Sequence, residues 1–177
     1  MQMEPTRQTV VCDPVTAARG SFATLGRIRK TNVAVIKYDD LSAAFDFVSF
    51  GAPMEHHAYI SMDTGTIYWI SEMNPLEEEV PEDLETSDRY ILIPHKNDLD
   101  LGSDLALRFT AAELPGLYTR VEEFFRHRGA YARFKELLVS EGCLDKWYAF
   151  EAESTARALR NWCTENEIEI IENEPSA

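Results

Sequence analysis

The chain has 177 residues, 45% of them apolar, with nine phenylalanines, seven tyrosines and three tryptophans. That is the material of one domain with a single core, plus a short extension. No run approaches the roughly 18 apolar residues of a membrane-spanning helix, and a net charge of −14 argues against general affinity for duplex DNA.

Residues 1–31 are polar and mildly basic, carrying Arg7, Arg19, Arg27, Arg29 and Lys30 against Glu4 and Asp13. Without steady periodicity they read as a loose basic N-terminal arm. They also lack the charged, apolar and small-residue layout of a secretory signal. Residues 32–38 suggest a short strand through Val33 and Val35. Asp39 or Asp40 is the expected N-cap of a helix whose Leu41, Ala44, Phe45 and Val48 follow i, i+3, i+4, i+7. Gly51 and Pro53 should stop it.

Residues 58–62 and 66–71 are β-rich and flank Asp63-Thr64-Gly65, a hairpin turn in which Gly65 can take positive φ. Residues 72–88 are acidic and broken by proline, hence a loop. Residues 38–88 as a whole hold 13 acids and no Lys or Arg. Residues 89–94, RYILIP, form a third strand.

The chain then turns helical. Leu101, Leu105 and Phe109 stripe one helix, ending near Leu114-Pro115-Gly116. Leu117, Val121, Phe124 and Phe125 mark a second. Gly129 opens a third with Ala130, Phe134, Leu137 and Leu138 inward, and Gly142 closes it as a left-handed cap. Asp145 caps a fourth that runs to about Asn166, with Trp147, Ala158 and Trp162 on one side. Residues 168–171, IEII, add a last edge strand. The fold class is α+β: a small antiparallel sheet, made of the hairpin and a third strand, packed with about five helices and a helical C-terminal half. Residues 32–172 form that single domain and 173–177 an acidic tail.

Little of this carries obvious chemistry. Asp63-Thr64-Gly65 matches the core of the aspartic-protease signature, but there is no second copy to share the proton, and a turn explains it. His56 and His57 are adjacent and point to opposite faces of an extended segment, while His95 and His127 stand alone. Cys12, Cys143 and Cys163 are odd in number and lack metal-ligand spacing. They read as reduced thiols of a cytoplasmic protein. No glycine-rich phosphate loop or EF-hand pattern occurs, so neither cofactor nor metal is expected, and no catalytic residue is assigned.

Two surfaces remain. Residues 128–150 place Arg128, Arg133, Lys135 and Lys146 beside Trp147 along two helices. Exposed, they would bind nucleic acid or a phosphorylated ligand, with the indole for stacking. Buried, they are helix packing with cations paired to local acids. Glu151, near the Trp147 side of its helix, is either a structural ion pair or a perturbed acid. The other surface is the acidic half, represented by Glu77, Glu78, Glu79 and Asp83, which would dock a basic protein surface. A homodimer would pair strands through the hairpin edge or IEII. The leading expectation is a non-enzymatic cytoplasmic binding or regulatory protein. Nucleic-acid binding and an unrecognised hydrolase or transferase are the alternatives.

The runs YISMDTG (59–65), RYILIP (89–94), RGAYARFK (128–135) and WYAF (147–150), in that order, resemble a bacterial uncharacterised protein family of the UPF series, the 0158 family, over residues 40–171. The resemblance implies a soluble bacterial α+β domain and assigns no activity. That family carries Phe at the position of Tyr131 and a basic residue at that of Ala132, so the basic block here is one cation short.

Overall fold

The computed structural model describes residues 33–50, 55–71 and 80–172. The basic arm, Gly51, Pro53, the run Glu77, Glu78, Glu79, and the acidic tail lie outside the described residues. Strand β1 (Ala34–Lys37) buries Ala34 and Ile36 and exposes Val35 and Lys37. It runs directly into helix α1 (Tyr38–Phe50). Asp39 and Asp40 therefore sit in the first helical turn rather than at the N-cap, where their charge still complements the helix dipole. Leu41, Ala44, Phe45 and Val48 are buried as their spacing requires.

Strands β2 (His56–Ser61) and β3 (Ile67–Ser71) form the antiparallel hairpin. Ser61 faces two residues at the turn: its carbonyl accepts from Gly65 N–H at 2.8 Å, and its N–H donates to Thr66 at 2.9 Å. This is a G1 bulge, whose first residue must be left-handed, and Gly65 has φ 75°. A Cβ there would lie 2.2 Å from the Val35 carbonyl oxygen, so the turn can rest on β1 only without a side chain. Strand β4 (Tyr90–Leu92) pairs antiparallel with the other side of β2, giving the order β3-β2-β4.

Four further helices follow: α2 (Ser103–Glu113), α3 (Tyr118–Phe125) after a 3-10 turn at Pro115–Leu117, α4 (Ala130–Ser140) and α5 (Leu144–Glu165). Gly142 ends α4 with φ 67°. Cys143 N–H bonds the Leu138 carbonyl and Gly142 N–H that of Val139, the paired bonds of a Schellman cap. The N-cap of α5 is Cys143, with Asp145 inside the first turn, one more capping expectation displaced by two residues.

Strand β5 (Ile168–Ile171) pairs parallel with β1 as a separate two-stranded sheet. The strand was expected from sequence; its partner at the other end of the domain was not. Among the described residues, apolar side chains of both sheets and all five helices join one core cluster, from Ile36, Leu41 and Ile60 to Phe109, Trp147 and Leu159. The architecture is α+β, with an antiparallel three-stranded sheet, a parallel pair and a helical C-terminal half.

Candidate functional site

The basic–aromatic block folds inward. Trp147 has no exposed surface. Its ring meets Phe134 at 5.0 Å, Phe109 at 5.4 Å and Phe150 at 6.3 Å between centroids. It is the aromatic centre of the helical half, so it offers no face for stacking a base. Arg133 turns its guanidinium back on the preceding helix. Nη2 donates to the carbonyls of Phe124, His127 and Arg128, the last at 2.8 Å, and the group lies 5.6 Å from the Phe124 ring. Phe124 is in the last turn of α3 and already accepts from His127 N–H, while His127 and Arg128 belong to the turn that follows, so Arg133 fastens the α3–α4 turn.

The remaining cations divide. Lys146 pairs with Glu113 at 3.0 Å, and Arg126 with Glu123 at 3.0 Å. Lys135 sits 5.4 Å over the Tyr148 ring. Arg128 is exposed and makes no ion pair among the described residues. A groove of about 250 Å³ between α3 and α4 holds Arg120, Phe124 and Arg133, with Glu136 on its wall. The acid offsets its positive potential.

Glu151 lies half-buried between α4, α5 and the 94–101 loop. Burial raises its carboxyl above the usual range, against the attraction of Lys135 and Lys96. The Trp147 indole N–H also favours its charged form but stays outside hydrogen-bond geometry. Tyr131 is pushed up to about 12 by burial, with Glu151 and Asp104 adding to the shift. His95, buried in that loop, accepts from Asn97 N–H through Nδ1 and has no partner at Nε2. His127 stands on the surface beside Glu123 at 3.1 Å. None of the four cavities described for the protein is lined by Glu151, His95 or His127. Burial pushes the Cys163 thiol up to about 11, away from nucleophilic character. No group of three or more His, Cys, Asp or Glu suited to a metal occurs among the described residues.

The antiparallel sheet presents a different surface. Directly opposed residues share a face, so the register Tyr59↔Tyr68, Tyr59↔Leu92 and Ser61↔Tyr90 gathers three tyrosines and a leucine on one side. Ala58, Ile60, Ile67, Trp69 and Ile91 take the other side and pack on the core cluster. Tyr68 and Tyr90 meet across β2 with ring centroids 5.8 Å apart, which explains why small, polar Ser61 is buried on this outward face. Leu92 is 47% exposed, and the tyrosines are partly exposed.

Acids surround this patch. Glu85 lies near enough to Tyr59 to help burial raise its phenol. Asp83 accepts from Arg89 Nη2 at 2.6 Å, and that bond holds its carboxyl below the usual range. Asp63 is 3.8 Å from the same guanidinium, a surface ion pair at a turn rather than a catalytic acid. Of the four acids singled out from sequence, Asp83 alone falls within the described residues, and it borders this face. The sequence reading missed Tyr59, Tyr68, Tyr90 and Leu92. Their alternation was visible, but only the register shows that they share a face.

The chain matches no known protein-family model, no curated protein and no solved structure. Among the described residues no helix is long and apolar enough to cross a membrane.

Proposed function

We propose that this is a non-enzymatic, cytoplasmic binding or regulatory protein that docks a basic surface of a partner protein through the outer face of its antiparallel sheet. The observation that carries the reading is the cluster of Tyr59, Tyr68, Tyr90 and Leu92 on one face of the sheet. Residues 38–88, which supply Tyr59 and Tyr68, hold no Lys or Arg, and Arg89, which lies over the Tyr90 ring, is engaged by Asp83 and Asp63. Interfaces concentrate their energy in partly desolvated aromatic anchors within a polar rim, and an excess of acids in that rim steers partners of opposite charge. The cytoplasmic placement rests on the odd number of cysteines in the sequence and their lack of metal-ligand spacing. Membership of the 0158 family stands as a proposal on the runs quoted above.

Nucleic-acid or phosphate binding through 128–150 is the weaker reading, since Trp147 is buried and Arg133 is spent on backbone carbonyls. Quantitative enrichment of partners from the native cell, at low and high salt, tests the docking reading. Leu92→Lys with Tyr68→Lys, and separately Glu82→Lys with Glu85→Lys, should remove the same polypeptides. High salt should weaken their capture. An unchanged partner set in both variants overturns the reading.

A further inference from the structure

We infer that the free edge of β3 and the adjoining flank of α1 form a groove that takes an extended, basic segment of the partner as an added β-strand. The inference rests on the docking reading and specifies the chemistry of what is docked. It starts from the strand edges. An unpaired edge is a template for another chain, and proteins ordinarily blunt it with charge, proline or brevity. Strand β4 is three residues long and is followed by Pro94. In β5, Glu169 lies within the strand, with Glu167 and Glu172 just outside its ends. The backbone of β1 is met by the hairpin turn at Val35. Strand β3 reads Ile-Tyr-Trp-Ile-Ser, carries no charge or proline, and pairs only with β2 among the described residues.

The backbone groups of this edge are identifiable. Ser61 N–H bonds the Thr66 carbonyl, and antiparallel pairing alternates. Tyr68 and Ile70 therefore spend their N–H and C=O on β2, and Ile67 and Trp69 direct theirs outward. A cavity of about 280 Å³ opens along the same stretch, lined by Ile67, Trp69, Gly65, Thr66, Ala43 and Asp40. Phe47 of α1 holds the Trp69 ring edge-on, with centroids 5.1 Å apart. Ala43 is exposed, so the helix flank leaves room beside the strand.

A strand laid on β3 would alternate its side chains between this cavity and the tyrosine face. Those opposite Ile67 and Trp69 would enter the cavity and pass Asp40. The one opposite Tyr68 would join the outer patch. Backbone bonds give affinity and alternate side chains give specificity in such additions. The charge calls for Lys or Arg, because the cavity contributes an aspartate and no cation.

The test uses the full chain and a blocked heptapeptide of alternating lysine and valine, with a second version N-methylated at alternate residues. The plain peptide should bind in a salt-sensitive way and slow amide exchange at Ile67 and Trp69. N-methylation should weaken binding by at least about tenfold, the scale of one or more lost backbone hydrogen bonds. Ala43→Arg should do the same at unchanged melting temperature. Equal binding of the N-methylated peptide, or unprotected Ile67 and Trp69 amides, overturns the groove. If Leu92→Lys then weakens the peptide while Ala43→Arg does not, the sheet-face docking reading survives without it. No binding of either peptide also overturns the groove, and leaves the sheet face to the enrichment experiment.

Discussion

Replacing Arg133 with alanine distinguishes a scaffold residue from a contact residue. The substitution removes one guanidinium nitrogen that serves three carbonyls, with one contact at 2.8 Å and two at 3.3 Å. The short bond is charge-assisted and the longer two are weak, so together they contribute about 2 kcal/mol net. Loss of the contact with Phe124, at 5.6 Å, adds about 0.5 kcal/mol at this partly exposed position. A total near 2–3 kcal/mol corresponds to roughly 5–10 °C in Tm for a chain of this size. Urea unfolding should show a lower midpoint at unchanged slope. Arg133→Lys should recover only part of the loss, because the lysine nitrogen lies one bond nearer the backbone than Nη2 and brings no planar group to rest on Phe124. Arg128→Ala, which leaves every backbone contact in place, should change stability by less than about 0.5 kcal/mol. If Arg133→Ala proves as mild as Arg128→Ala, the account of Arg133 as the fastener of the α3–α4 turn is wrong.

Gly65→Ala should destabilise by roughly 2–4 kcal/mol, combining the left-handed penalty with the clash against the Val35 carbonyl, readable as a lower urea midpoint. Glu167 holds φ 57° just beyond α5, so Glu167→Gly should stabilise by about 0.5–1 kcal/mol; a loss in calorimetry would refute that. Glu151 has its folded-state pKa raised by burial. The folded chain therefore holds that proton to higher pH than the unfolded one, and stability falls as pH rises from the ordinary glutamate pKa through the raised value. Glu151→Gln should flatten that segment of the stability–pH profile and gain on the wild type at neutral pH. An unchanged profile would show that the carboxyl is not desolvated.

The elements with a strong period were readable. The i, i+3, i+4, i+7 stripe of α1, the Gly65 turn and the Gly142 cap each depend on local sterics that a few residues specify. What failed was non-local. Nothing in IEII names β1 as its partner, because pairing across the whole domain is decided by how the helices between them pack. Trp147 and Arg133 sat at helix positions open to either reading. Three neighbouring aromatic rings draw the indole inward, and the turn between α3 and α4 claims the guanidinium. Likewise, a tyrosine patch spread over β2, β3 and β4 exists only once the register is set.

The ion pairs give the charge segregation its spatial meaning. Lys146 with Glu113, Arg126 with Glu122 and Glu123, and Arg160 with Glu172 tie cations of the helical half to acids near them. Such exposed pairs add little to stability, but they cancel one another's field at a distance. On the sheet, Arg89 answers both Asp83 and Asp63, leaving Asp40, Asp46, Glu82, Glu85 and Asp88 without a cation from their own stretch of sequence. The uncompensated potential therefore gathers around α1 and the strands, the same region that presents the tyrosines and the unguarded edge of β3. A basic partner would be steered toward that side before any contact forms.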